Sequence, residues 1–159
     1  MRIIGIDPGT GILGFGVIEI DSKNQPHLVD AGVIRTPVKE DDAVRLHTIY
    51  TELTEVIAST KPAEMAVEKL FFAQNVTTAM TVAQARGVVL LTAMQAGLKI
   101  AEYTPQQIKQ ALTGYGKADK KQIQEMVRLQ LGLKEVPKPD DCADALAAAI
   151  CHSQTLRVQ

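Results

Sequence analysis

The chain has 159 residues, 46% of them hydrophobic and 22% charged, and a formal net charge of −1. These values are typical of one globular domain and exclude a histone-like or tail-type nucleic-acid binder, although separate acidic and basic surfaces stay possible. The apolar runs of the chain, such as residues 88–91, are far shorter than the roughly 20 residues that span a bilayer. We therefore expect a single domain over residues 1–159 with no membrane span. Cys142 and Cys151 are nine residues apart and could not pair if both lie on one helix, which indicates a reducing compartment.

Three strands are predicted at the N-terminus. Residues 2–7, 14–20 and 27–35 are apolar or β-branched runs separated by turn residues. Their short connections favour antiparallel pairing in a meander. Apolar residues then recur at helical spacing over 40–60, which predicts an amphipathic helix, and a short strand follows at 64–68.

The middle of the chain predicts a long helix at 75–96 with apolar residues on most faces. Such a helix is typical of a central position or of an interface with a partner subunit. A fifth strand is predicted at 98–103. Thr104 and Pro105 then suit the N-cap and the first position of a short helix that ends near residue 112.

Two further helices complete the chain. One is predicted from about residue 119 to 131, with Gly132 as its end, and an Ala-rich one from Asp140 or Asp141 to about residue 154. This order of elements predicts an α/β fold. Its sheet has five strands and is mixed, with strands 1–3 antiparallel, strands 4 and 5 parallel to strand 1, and helices packed against it.

A glycine cluster follows the first strand. Gly9, Gly11 and Gly14 match the G-x-G-x-x-G pattern of dinucleotide sites, but that site needs a helix to begin there, and residues 15–20 have the pattern of a strand. A tight strand–turn–strand with Asp7 at the strand end fits better. The same hairpin is similar to the first hairpin of actin-like and sugar-kinase nucleotide-binding domains, and a glycine-rich turn beside a solvated Asp7 is a further alternative.

Carboxylates stand at positions that a sheet would bring together. Asp7 and Glu68 end predicted strands, and Asp141 and Asp144 are three residues apart on one face of the last helix. The carboxyl ends of neighbouring strands share one edge, where these side chains would repel one another unless a cation is bound. Two Mg²⁺ ions would relieve the repulsion and support phosphodiester hydrolysis. Alternatively, the helix pair only caps its own helix.

Four segments carry a resemblance to a known family. Residues 4–9, 66–71, 84–87 and 141–147 resemble, in order and spacing, the RuvC family of bacterial Holliday junction resolvases in the ribonuclease H-like superfamily. The resemblance implies a ribonuclease H-like fold and a cytoplasmic homodimer that binds four-way junction DNA. It also implies Mg²⁺-dependent, symmetric nicking of two opposing strands during recombination and repair, together with the branch-migration proteins RuvA and RuvB.

The resemblance also implies roles for individual residues. The catalytic and metal-binding set carries over to Asp7, Glu68, Asp141 and Asp144, with two Mg²⁺ ions per subunit and Mn²⁺ as a substitute. Some relatives have His at the position of Asp141. Because this chain has Asp there, no histidine ligand is expected. The residues implied to contact DNA are Phe71, Lys109 and Lys120. The neighbouring Phe72 is left open between the core and DNA.

The distribution of charge agrees with a DNA-binding surface. Residues 99–138 hold eight basic and four acidic side chains around the loop 113–116, a plausible zone for phosphate contacts, although solvated helix faces would give the same pattern. A nuclease similar to the YqgF family, acting on RNA, is a further alternative. That family places a basic pair after its first Asp-x-Gly, where this chain has Thr10-Gly11-Ile12.

Overall fold

The computed structural model describes residues 1–9, 11–69 and 76–158. The strands are β1 (Arg2–Asp7), β2 (Ile12–Ile20), β3 (Pro26–Arg35), β4 (Glu64–Glu68) and β5 (Lys99–Tyr103). The helices are α1 (Asp42–Thr60), α2 (Val76–Gln95), α3 (Pro105–Thr113), α4 (Lys120–Gln130) and α5 (Asp140–Val158).

The strands form one sheet in the order β3-β2-β1-β4-β5. Strand β1 pairs antiparallel with β2, which pairs antiparallel with β3, while β4 is parallel to both β1 and β5. The predicted mixed topology is therefore confirmed. As the central strand, β1 is covered on both faces, and this explains its uninterrupted apolar run.

Helices cover both faces of the sheet. On one face, α3, α4 and α5 pack with Ile3 and Ala66 in one hydrophobic cluster. On the other face, α1 and α2 pack with Ile4 and Ile6 in a second cluster. Because side chains alternate along a strand, Asp7 points to the same face as Ile3, which is the face that α5 covers.

Helix α5 lies against the sheet at backbone distance. A Cβ atom added to Gly5 would stand 1.9 Å from the carbonyl oxygen of Ala145, and one added to Gly14 would stand 2.1 Å from that of Asp141. Neither neighbour is a side chain that could rotate away. The small side chains of the Ala-rich helix and these glycines together allow the close approach.

Capping boxes fix the starts of α3 and α4. The side chain of Thr104 accepts from the backbone N–H of Gln107, whose own side chain accepts from the N–H of Thr104, and Pro105 follows the cap as predicted. Asp119 and Gln122 form the same pair at α4. Two orphan donors are satisfied at each helix start.

Some boundaries differ from the sequence predictions. Strand β2 begins at Ile12 rather than at residue 14, because glycines weaken a strand pattern without preventing pairing. The element that follows β1 is thus a strand, as predicted, and not the helix that a dinucleotide site needs. Helix α5 continues to Val158 rather than ending near residue 154, and its Leu156 packs against the buried cluster under α5.

Helix α2 is the one described helix that is long and apolar enough to cross a membrane by length and composition alone. It packs against α1 and β5, and Ala85, Val89 and Ala93 face the core. Several large apolar side chains on its opposite side are exposed, which marks this helix as having an uncovered apolar face.

We expect Gly5→Ala to lower the free energy of unfolding by about 1–3 kcal/mol or more, since neither the strand nor the α5 backbone can move aside. Urea unfolding measures the effect. Gly11→Ala is the control, because no atom lies within 4 Å of its added Cβ. Equal stability of the two variants would show that α5 is not held at backbone distance.

Candidate functional site

The ends of β1 and β4 and the start of α5 meet at one edge of the sheet. Ile6 pairs with Val67 in the parallel ladder, so the next residues, Asp7 and Glu68, stand side by side. Asp7 also pairs with Gly14, over which the backbone of Asp141 lies. We call the set Asp7, Glu68, Asp141 and Asp144 the carboxylate edge.

Among these four carboxyl groups, that of Asp7 has the most strongly shifted pKa. Its pKa is raised from 3.8 to about 7, first because burial desolvates the carboxylate and then because Asp144, Glu68 and Asp141 repel its charge. Lys120 lowers the pKa in part. The carboxyl group is therefore held where its charged form is poorly solvated and crowded by like charges.

Two neighbours share this environment. Burial raises the pKa of Glu68, and the charge of Asp144 raises it further, while Lys109 opposes the shift. Burial also raises the pKa of Asp144, against the opposing effect of Lys120. The structure thus brings predicted acids from three separate chain segments into electrostatic contact.

Lys120 provides positive charge beside these acids. Its Nζ lies 3.2 Å from Oδ2 of Asp140 and 3.5 Å from Oδ2 of Asp144. Partial desolvation would lower the pKa of the lysine, but the two carboxylates outweigh it and raise the pKa. More than half of the Lys120 side chain is exposed (55%), so the ammonium can exchange partners with water or an incoming anion.

A cleft of about 290 Å³ opens beside the edge. Its acidic lining includes Glu68 and Asp144, and its basic lining includes Lys109 and Lys120. The helices α3 and α4 therefore deliver the two lysines predicted to bind DNA to the same cleft as two of the predicted catalytic acids. An anionic substrate could bind here against the lysines while facing the carboxylates.

The donor set suits a hard divalent cation. Oxygen-only ligands are the ones that Mg²⁺ prefers, and mutual repulsion at the carboxylate edge would be relieved by such a charge. Across the described ranges, no group of three or more Asp, Glu, His or Cys side chains is already arranged to hold a metal ion.

The structure adds contacts that sequence reasoning missed. Asp140 pairs with Lys120, and the Nε of Arg86 donates to the backbone carbonyl of Glu68 at 3.3 Å while its guanidinium also pairs with Glu102. The only sequence signal for Arg86 was its place in the segment 84–87. Phe71 and Phe72 lie outside the described residues, so the DNA-stacking role of Phe71 stays a prediction.

Comparisons with known proteins agree on one family. The family model described as "Crossover junction endodeoxyribonuclease RuvC" matches residues 3–152. The protein of that name from Heliobacterium modesticaldum is 55% identical over 156 residues, covering 98% of this chain and 96% of that protein.

Solved structures give the same result. The Thermus thermophilus RuvC structure superimposes with a TM-score of 0.92 at 39% identity, over 99% of this chain and 96% of that one. The structure of T. thermophilus RuvC in complex with a Holliday junction substrate gives a TM-score of 0.91 at 37% identity, with the same coverage of both chains.

The raised pKa of Asp7 predicts that the metal-free protein loses stability as the pH rises. Because the pKa is 3.8 unfolded and about 7 folded, the stability that Asp7 contributes is present below the lower value and lost as pH rises through the upper one. At pH 8 in chelator, Asp7→Asn should therefore melt higher than the parent. The expected gain is about 2–4 °C for each kcal/mol of repulsion relieved.

Thermal melts from pH 5 to 8 measure this effect. The difference in melting temperature between Asp7→Asn and the parent should narrow toward pH 5. Adding Mg²⁺ should raise the melting temperature of the parent more than that of the variant. Glu52→Gln, at an exposed acid on α1, is the matched control and should show neither trend. A lower melting point for Asp7→Asn at pH 8 would contradict the electrostatic description.

Proposed function

This chain belongs to the RuvC family of crossover junction endodeoxyribonucleases, and we propose that the carboxylate edge is the centre at which it hydrolyses DNA. The enzyme is a DNA endonuclease that resolves Holliday junctions. The family match over residues 3–152 favours this activity over the RNA nuclease and nucleotide-binding alternatives. The observation that supports the site is the partial burial of Asp7 among other acids beside Lys120.

Asp7, Glu68, Asp141 and Asp144 would hold Mg²⁺, two ions per subunit, with Mn²⁺ able to replace it. A bound divalent cation supplies positive charge for the phosphate and for the oxygens that attack and leave. In its absence the acids repel one another and would repel a phosphate, which is why the raised pKa values favour a cation as the natural occupant.

The lysines of the cleft would place the substrate. Lys109 and Lys120 line the cleft with Glu68 and Asp144, so they would contact phosphates near the bond to be cut. Hydrolysis adds the oxygen of water to phosphorus and releases the 3′ oxygen, leaving 5′-phosphate and 3′-hydroxyl ends. Phe71 would stack on junction bases next to the cut, where such stacking contributes about 1–3 kcal/mol per base.

A homodimer would place two such centres on one junction. The exposed apolar side chains of α2 lie on one stripe at helical spacing: Val76, Met80, Leu91 and Met94. Gly87 belongs to the same stripe and has no atom within 4 Å of an added Cβ, so a partner helix can approach closely. A second copy of the chain would cover this stripe.

The remaining assignments follow the family. We place the enzyme in the bacterial cytoplasm, as one nuclease domain over residues 1–159, working with RuvA and RuvB on junctions formed in recombination and repair. A second subunit that covers the exposed stripe of α2 would account for its apolar side chains without contact to a membrane.

A labelled four-way junction with Mg²⁺ tests the activity and the site together. The parent should make paired, symmetric nicks. Asp7→Asn should bind the junction as tightly as the parent does but cleave it more than about 100-fold more slowly. Loss of a residue that only supports a metal ligand typically costs roughly 10–100-fold, so a larger loss indicates a ligand. Asp30→Asn, at an exposed acid on β3, is the control and should keep both properties.

Two results would count against this proposal. A folded parent dimer that leaves the junction intact would refute the activity in this chain. Equal loss of binding and cleavage in Asp7→Asn would mean that the carboxylate contacts DNA or supports the fold rather than holding the cation.

The dimer is tested separately at the stripe on α2. Met80 is 62% exposed and Leu91 57% exposed, so the double substitution Met80→Asp with Leu91→Asp should leave the fold intact but place charges in the interface. Sedimentation should then show a monomer, with a dissociation constant raised at least about 100-fold. Val38→Asp, at a residue that is 84% exposed and outside the stripe, should stay dimeric; a dimeric double variant would place the interface elsewhere.

A further inference from the structure

A buried hydrogen-bond network joins α5 to β4 and β5. The hydroxyl oxygen of Tyr103 lies 2.7 Å from Nδ1 of His152, and Nε2 of the same imidazole lies 2.7 Å from Oε2 of Glu64. The side chain of His152 is only 5% exposed and that of Glu64 14%. The three groups come from three elements and none of them belongs to the carboxylate edge.

The network is complete as it stands. When the imidazole carries its proton on Nε2, it donates to Glu64 and accepts on Nδ1 from the Tyr103 hydroxyl. Burial raises the pKa of Tyr103, so its hydroxyl keeps the proton that it donates. Each group therefore satisfies its neighbour, and removal of one leaves another buried polar atom unpaired.

The positions of the three residues connect the network to the site. Glu64 is the first residue of β4 and Glu68 the last. Tyr103 pairs with Glu68 in the ladder, and its carbonyl accepts from the N–H of Lys69 at 2.7 Å. His152 thus reaches the start of β4 directly and its end through Tyr103.

The network adds directional contacts to a helix that otherwise packs on the sheet mainly through apolar side chains. The buried face of α5 combines alanines with Leu146 and Ile150, and a fully satisfied hydrogen-bond network specifies one arrangement of such a core more sharply than apolar contacts alone do. His152 lies eight residues beyond Asp144 on the same helix, about 12 Å along its axis. A shift of α5 along β4 would carry Asp144 past Glu68 by the same amount.

We propose that Tyr103, His152 and Glu64 are positioning residues that fix α5 along β4 and so hold Asp141 and Asp144 in register with Glu68. The inference rests on the proposed function of the carboxylate edge. Loss of the network should spoil the geometry of cation binding and of the reacting phosphate while leaving the DNA-contacting surface in place. A displacement of about 1 Å can cost about 100-fold in rate.

Four single variants of the full chain test the proposal. Tyr103→Phe removes one hydroxyl, Glu64→Ala removes the acceptor, and Glu64→Gln keeps an oxygen that can accept from Nε2. Ile150→Val is the matched control, because Ile150 is 0% exposed on the same helix and takes no part in the network. The readouts are kcat on saturating junction, junction affinity in Ca²⁺, the affinity for Mn²⁺ by calorimetry, and the melting temperature.

The expected result separates positioning from general destabilisation. Tyr103→Phe and Glu64→Ala should lower kcat by about tenfold or more and weaken Mn²⁺ binding by a similar factor, with junction affinity unchanged. Glu64→Gln should retain most of the parental kcat and most of the parental affinity for Mn²⁺. Ile150→Val should keep kcat and Mn²⁺ affinity even where it lowers the melting temperature as much as Tyr103→Phe does.

The opposite result is equally clear. If Tyr103→Phe and Glu64→Ala keep the parental kcat and Mn²⁺ affinity, or change them no more than Ile150→Val does, the network has no positioning role and the inference is wrong. Failure of the parent itself to cleave junctions would instead refute the proposed function, so the two failures are distinguishable.

Discussion

Helix α5 lies so close to the centre of the sheet that a methyl group at Gly5 or Gly14 would collide with its backbone. This contact limits where the start of the helix can lie. Because Gly14 pairs with Asp7 in the β1–β2 ladder, the backbone of Asp141 is placed beside the end of β1. The position of the carboxylate edge is thus a consequence of packing between main chains rather than of attraction between its side chains.

The electrostatic character of the site follows from that packing. Acids that would be exposed on an isolated helix or strand are brought together and partly desolvated, which raises the pKa of Asp7, Glu68 and Asp144. The structure offsets part of this cost with Lys120, which contacts Asp140 and Asp144. The near-zero net charge of the chain therefore conceals a cleft in which acidic and basic side chains lie close together.

Much of this arrangement was predictable from local patterns. The strand runs, the Thr104 cap with Pro105, and the four acids at the ends of elements are all visible in the sequence, because strand ends and helix starts have local signatures. Side-chain partners distant in the chain were not predictable. Glu64 and His152 are 88 residues apart, and no pattern indicates that their elements meet. The same is true of the contact between Arg86 and Glu68.

The burial of α5 also determines how the site can be lost. Nearly every residue from Cys142 to Ser153 is buried, with Ala145, Leu146 and Ile150 at 0% exposure. Segments of this kind exchange their amide hydrogens only when the whole domain opens, whereas most ligand-binding loops open locally at lower free energy. Asp144 lies within this segment and Asp141 directly before it, so two of the proposed metal ligands belong to a helix whose body should open only with the whole domain.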